Sequence, residues 1–319
     1  MVKPIIKKIY KKIKSYDTIV VARHIGPDPD AVSSQIAMRD AIKLSFPDKK
    51  VYAVGSGVAK FKYIGTLDKI NEDELVNPLL IVVDVPNVSR VDGVDISKYS
   101  DVLKIDHHPM EDKMGEVEWV DINASSAAEL IAELILNSRL KLDKEVAKNL
   151  FIGIVSDSNR FLLSSTRTLN LVANLIDKSR IKPKEIYPLL YKRPLSEVRF
   201  QGFIAENMTL TENGLAYMKI GSDDIKKYNV DTSTASNMIN DSNYIEEVFV
   251  WTFITYDEKN DLYKVNIRSR GPVINEIASH FNGGGHSFAS GVRTTNKDDI
   301  DKLINELDLV CKKYKENNK

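Results

Sequence analysis

Cys311 is the only cysteine among the 319 residues. An internal disulfide is therefore excluded, and so is a zinc site built on thiolates. Surplus charge is absent too: Lys and Arg number 45, and so do Asp and Glu. With no net charge the chain projects no basic field. That argues against binding long duplex nucleic acid and leaves any phosphate recognition to local groups. No apolar run approaches the roughly 20 residues that span a bilayer. The lysine-rich start, Met1 to Lys14, scatters its isoleucines among lysines and so lacks the apolar core of a signal peptide. It reads as an amphipathic surface helix, on a cytoplasmic protein long enough for two domains.

The first half alternates short apolar strands with helical stretches. Asp17 to Arg23 (DTIVVAR), residues 51–54, Leu79 to Val85 (LLIVVDV) and the run ending at Ile105 are β-branched or aliphatic and short. Helical periodicity follows from Ala31, over Ser125 to Ser138, over Asp143 to Val155 and over Thr168 to Asp177. This order predicts a doubly wound parallel sheet with ligands gathered at the carboxyl ends of its strands. The polar residues collect at those ends. His24, Asp28 and Asp30 share a stiff loop with Gly26, Pro27 and Pro29; Asp84 closes an aliphatic run before Pro86; Asp106, His107 and His108 end the next strand before Pro109; Asp157 follows a helix. Acids alternating in a rigid loop can face one centre, as hard cations require, and imidazole beside carboxylate suits first-row divalent metals. The plainer alternatives are helix caps for Asp28 and Asp30 and surface positions for the two histidines.

The second half reads differently. Ser179 to Glu197 holds three prolines and little periodicity, as a connector would. Phe203 to Leu210 and Leu215 to Ile220 read as a hairpin around Asn213-Gly214, and Glu247 to Tyr256 with Leu262 to Ser269 as a second pair. A helix from Val273 to Phe281 then leads to Gly283-Gly284-Gly285-His286, where bare backbone can approach an anion closely. Arg268 and Arg270 stand nearby and add phosphate-binding capacity, or are solvated surface charge. The expected organisation is residues 1–180 as catalytic domain, 181–200 as connector and 201–319 as a smaller α/β domain with a mixed or antiparallel sheet.

Taken together, His24-x-x-x-Asp28-x-Asp30, Asp84, Asp106-His107-His108-Pro109, Asp157 and Gly283-Gly284-Gly285-His286 resemble the DHH phosphoesterase superfamily. The likeness is to the branch with a C-terminal DHH-associated domain, which holds nanoRNases, 3′-phosphoadenosine 5′-phosphate phosphatases and dinucleotide phosphodiesterases. Departures are Pro29 and Ser33 where glycine is common, and Ser158-Asn159 in place of Thr-Gly; none removes a ligand. The resemblance implies two divalent cations, Mn²⁺ or else Mg²⁺. One would be held by His24, Asp28 and Asp84, the other by Asp30, Asp84, His107 and Asp157. In catalysis Asp106 would orient a histidine, and His108 would face the phosphate or leaving oxygen as hydrogen-bond donor or acid. Arg268, Arg270, Gly283, Gly284, Gly285 and His286 would bind the rest of the substrate, in a cleft between the domains. Expected substrates are short oligoribonucleotides or dinucleotides and 3′-phosphoadenosine 5′-phosphate, with linear or cyclic di-AMP as the alternative. The chain would work as a monomer or homodimer, away from membranes. Rival readings are an inorganic pyrophosphatase, which the glycine-rich loop disfavours, and a silent nucleotide- or RNA-binding module, which has no use for six ligands.

Overall fold

The computed structural model describes residues 3–318. The chain divides into two compact units between Lys192 and Arg193, inside the stretch read as a connector.

In the first unit, α1 (Pro4–Ser15) buries Ile6, Ile9 and Ile13, whose three- and four-residue spacing makes one apolar stripe. The strands are β1 (Thr18–Ala22), β2 (Lys50–Ala53), β3 (Leu79–Val83), β4 (Asp101–Asp106) and β5 (Val117–Val120), in the order β2-β1-β3-β4-β5 with every pair parallel. β1 and β3 are buried at every position, as parallel strands covered on both faces must be. Alternate residues feed two cores. Ile19, Val21, Ile81 and Ile105 pack with the helices α2 (Pro29–Ser45), α3 (Ala127–Leu136) and α4 (Lys144–Asp157), beside α5 (Thr166–Ser179) and α6 (Pro183–Tyr191). Val20, Leu80, Val82 and Val102 face a smaller core closed by Tyr99, Met114, Ile70 and Val94. The parallel sheet is thus the one expected, but loops and single turns rather than helices cover its second face. Between β1 and β3 the strand order reverses direction, the point at which open α/β sheets leave a crevice beyond their carboxyl ends.

The second unit is built on a six-stranded mixed sheet. α7 (Leu195–Asn207) precedes β6 (Thr209–Leu210) and β7 (Leu215–Ile220); then come α8 (Ser222–Tyr228), α9 (Thr232–Asn237), β8 (Val250–Asp257), β9 (Leu262–Ser269), α10 (Asn275–His280), β10 (Gly284–His286), β11 (Ala289–Thr294) and α11 (Lys297–Asn317). The order is β10-β11-β9-β8-β7-β6, and only β7 with β8 run parallel. Val265, Ile267 and Val292 face α11 through Leu303 and Leu307, while Trp251 and Phe253 face α7 through Phe200 and Ile204. The strand expected from Phe203 is instead the end of α7. Phe200 and Ile204, one turn apart, are both buried, and only Thr209 and Leu210 pair with β7. The glycine-rich segment is no free loop either, since Gly284 to His286 form β10 against β11.

Candidate metal centre and active site

Each predicted ligand reaches the centre by its own route. His24 follows β1 and is 5% exposed; its Nδ1 lies 2.9 Å from the carbonyl of Ile25, so the ring donates there and leaves Nε2 for a ligand. Asp28 caps α2, accepting the N–H of Ala31 on Oδ1 at 2.9 Å, while Oδ2 lies 3.7 Å from His24 Nε2. The plainer capping alternative thus accounts for one oxygen and leaves the other turned toward His24. Asp30 is fully buried in the first turn of α2; its carboxylate accepts the N–H groups of Ala127 at 2.8 Å and Ala128 at 3.1 Å, at the start of α3. Asp84 takes the residue after β3 with a left-handed backbone (φ 59°), which an aspartate adopts more readily than most residues. That turn aims the carboxylate at three imidazoles: Oδ2 is 3.4 Å from His24 Nε2, and Oδ1 is 3.3 Å from His107 Nε2 and 3.5 Å from His108 Nδ1. Asp157 is the last residue of α4, not a residue beyond it, and its Oδ2 lies 3.3 Å from His107 Nε2.

Three sets of donors converge: His24, Asp28 and Asp84; Asp84, His107 and His108; Asp30, His107 and Asp157. Within each set the donor atoms lie within 4.8 Å of one another, and Asp84 belongs to two of them. Asp84 Oδ1 and His107 Nε2 are buried, face each other and have no hydrogen-bond partner. Buried donors and acceptors are ordinarily paired, so two orphaned lone-pair atoms side by side fit a cation that would satisfy both. The electrostatics agree. Burial, then the charges of Asp84 and Asp157, hold the Asp30 carboxyl well above the usual range; burial, Asp84 and Asp28 push Asp157 up to about 7. Burial opposes charging of His24 and His107, but the acids close against them outweigh it and raise them to about 10 and about 9. Asp84 is held below the usual range although burial opposes it, because His107 and His24 lie close against its carboxylate. Protons thus do in part what a cation would do: they offset four acids crowded around one point.

Asp106 stays out of the ligand cluster. It is fully buried, and Oδ1 accepts from the His108 backbone N–H at 3.2 Å and from His108 Nδ1 at 2.9 Å. His108 is held by the Nδ1 edge of its ring, with its side chain 38% exposed.

Two contributors escaped the sequence reading. Gly153, one turn before Asp157, lets α4 approach closely: a Cβ there would lie 2.6 Å from Asp30 Oδ1 and 2.5 Å from Ala128 Cβ. A glycine inside an apolar helical run (LFIGIV) was the available signal. Lys104 is the other, a fully buried charge in β4 whose signal was a lysine inside VLKID.

In the second unit the register sets His286, Ala289 and Arg268 side by side across β10, β11 and β9, so their side chains share one face of the sheet. Arg268 is half-buried without an acidic partner among the described residues, and desolvation holds its pKa below the ordinary value. Arg270 is differently placed, its guanidinium donating to the carbonyls of Ile245 and Val248. Of the three glycines, Gly283 and Gly285 are demanded by the chain itself: a Cβ would meet the carbonyl oxygens of Gly291 and Ala289 at 2.4 and 2.5 Å. Gly284 faces open space. Gly283 and Gly284 also line a groove of about 520 Å³ with Lys264, Asn266 and Arg293.

Residues 18–154 match the DHH family N-terminal domain, and residues 212–313 match the DHHA1 domain. The bifunctional oligoribonuclease and PAP phosphatase NrnA of Bacillus subtilis is 35% identical over 96% of this chain and 99% of its own length. The chain belongs to the DHH family. A probable enzyme of the same description from Streptococcus mutans is 33% identical over 96% of the chain and 99% of its own length. The fold of this DHH protein is that of an exopolyphosphatase-related protein from Bacteroides fragilis, with a TM-score of 0.81, 21% identity and 97% of each chain covered. Among the described residues no helix is long and apolar enough to cross a membrane.

Proposed function

We propose that this DHH protein is a metal-dependent phosphoesterase that hydrolyses short oligoribonucleotides or dinucleotides to mononucleotides, and 3′-phosphoadenosine 5′-phosphate to AMP. The observation that carries the reading is the donor set that includes Asp84, seven metal-competent side chains on four separate chain segments with two orphaned atoms facing each other. The full-length relatives named for both activities support the substrate class.

Two divalent cations, Mn²⁺ before Mg²⁺, would activate water at neutral pH and neutralise phosphoryl oxygens during an in-line displacement. His24, Asp28 and Asp84 would hold one ion; Asp30, Asp84, His107 and Asp157 the other. His24 offers Nε2 because Ile25 occupies Nδ1, and Asp30 is oriented by the amides that open α3. His108, held through Nδ1 by Asp106, would serve the phosphoryl or leaving oxygen with Nε2 and move a proton there. Arg268, His286 and the glycine-rich segment would hold the non-reacting end of the substrate, with the groove beside Gly284 as the place for its base or second phosphate. Arg270, with donors committed to backbone carbonyls, would support that surface rather than touch the substrate.

The test is a panel run with Mn²⁺ and with Mg²⁺: 3′-phosphoadenosine 5′-phosphate, oligoribonucleotides of two to five residues, linear and cyclic di-AMP, a long oligoribonucleotide and pyrophosphate. Turnover of the first two classes and not of the long strand is expected. Pyrophosphate as the best substrate would replace this reading with the pyrophosphatase one, and no turnover at all with the binding-module one.

A further inference from the structure

One charge in β4 serves neither the core nor the donor set. Lys104 is fully buried and lies two residues before Asp106, on the same face of the strand. Val82, Val85 and Val102 belong to the apolar core on that face. A buried ammonium is costly there, and an apolar side chain of similar length would pack without that cost. Its Nζ donates to the carbonyl of Pro86 at 3.0 Å and lies 3.3 Å from Asp106 Oδ2. Pro86 stands two residues past Asp84, in the turn that the left-handed Asp84 begins. Asp106 in turn holds the His108 ring at 2.9 Å. One cation thus ties the segment that presents Asp84 to the carboxylate that holds His108.

We propose that Lys104 is a positioning residue: it fixes the Asp84–Pro86 turn and the Asp106 carboxylate, and through Asp106 the ring of His108. It touches no substrate. Its effect on turnover rests on the phosphoesterase reading; its effect on His108 does not.

The test uses the full chain with Lys104→Met, Lys104→Arg, Asp106→Asn and the double variant Lys104→Met/Asp106→Asn. Proton–nitrogen correlation spectra of the metal-free protein, labelled in its five histidines, report the hydrogen-bonded Nδ1–H of His108, assigned with His108→Gln. That signal is expected in the parent protein and lost in Lys104→Met as in Asp106→Asn. In the metal-loaded enzyme, Lys104→Met should lower kcat roughly ten- to a hundredfold, the range for a lost charge-assisted hydrogen bond, with KM changed less than about twofold. Lys104→Arg, which keeps a cation, should retain kcat within about fivefold on the same scale. In the Asp106→Asn background, Lys104→Met should cost nothing further, because residues acting in series are not additive. A parental His108 signal and parental kcat in Lys104→Met would overturn the proposal, and so would an undiminished further loss in the Asp106→Asn background. Should Lys104→Met not fold, the double variant, which leaves no unpaired charge in the core, is compared with Asp106→Asn alone: equal kcat supports the proposal and a further drop defeats it. If the parent enzyme hydrolyses nothing in the panel, the phosphoesterase reading falls and the spectra alone decide the role of Lys104.

Discussion

At the scale of single residues, the centre stores its charge as protons until a cation arrives. Asp30 and Asp157 sit above their ordinary range, so the folded chain binds their protons more tightly than the unfolded chain does. The stability they contribute is present at low pH and is lost as pH rises, for Asp157 through about 7. His24 and His107 act in the same direction: their contribution is intact below the ordinary histidine range and fades as pH rises through about 10 and about 9. Asp84, held low, loses its contribution only on acidification below the ordinary carboxylate range and is constant across this window. The metal-free protein is therefore expected to lose thermal stability between pH 5 and 9, and Mn²⁺ to cancel that loss by taking the place of the protons. Melting curves in chelator and in Mn²⁺ measure it; a metal-free Tm that does not change with pH would contradict the charge arrangement. Asp84→Ala should abolish turnover on every substrate and remove both ions, read by metal analysis of the folded protein. At the other site, Arg268→Ala should lower kcat/KM on dinucleotides about ten- to a hundredfold, the range for a charge-assisted phosphate contact, and spare bis-p-nitrophenyl phosphate. Arg270→Ala should instead lower Tm through its two carbonyl contacts. Equal kinetic losses from both arginines, on both substrates, would refute that division.

At the scale of elements, what was legible in the chain follows from burial. β1, β3 and β4 are aliphatic runs that stop at a charged or imidazole residue, and a polar group at the end of a buried run has few explanations besides a partner or a ligand. That pattern made His24, Asp84, Asp106, His107 and His108 readable. α7 was not readable as a helix, because Phe200, Phe203 and Ile204 lie among residues that also suit a strand, and packing against Trp251 and Phe253 settled the matter. Nor was β10, since three glycines carry no strand preference; its pairing comes from β11. Asp157 is expected just past the helix because apolar periodicity fades at Val155, yet α4 runs on and ends on the acid. The helix packing that sets Asp30 beside α3 and α4 left only the faint trace of Gly153. Gly153→Val should press on the Asp30 carboxylate and on Ala128, costing about 1–3 kcal/mol as overpacking does and weakening metal binding. Calorimetric titration with Mn²⁺ reads the binding and urea unfolding the stability; a variant with parental values for both would show that α4 can shift without cost.

At the scale of the whole molecule, each unit carries its own cores: the two of the first unit draw on residues before 193, and the two of the second on residues after it. All seven residues of the candidate donor sets precede residue 193, so residues 1–192 produced alone should fold and bind Mn²⁺ with the full chain's stoichiometry, while losing turnover of dinucleotides. Titration of the fragment beside the full chain measures this. A fragment that folds and binds no metal would mean that the second unit completes the centre.

The amides of Ala127 and Ala128 point their hydrogens at the Asp30 carboxylate. Any change in what that carboxylate holds, proton or cation, alters the field at two backbone N–H groups that belong to neither ligand nor substrate. The first turn of α3 is thereby a built-in gauge of occupancy. Its two amide resonances should shift together as metal is titrated in and return when chelator is added, with no substrate present and no turnover needed to read them.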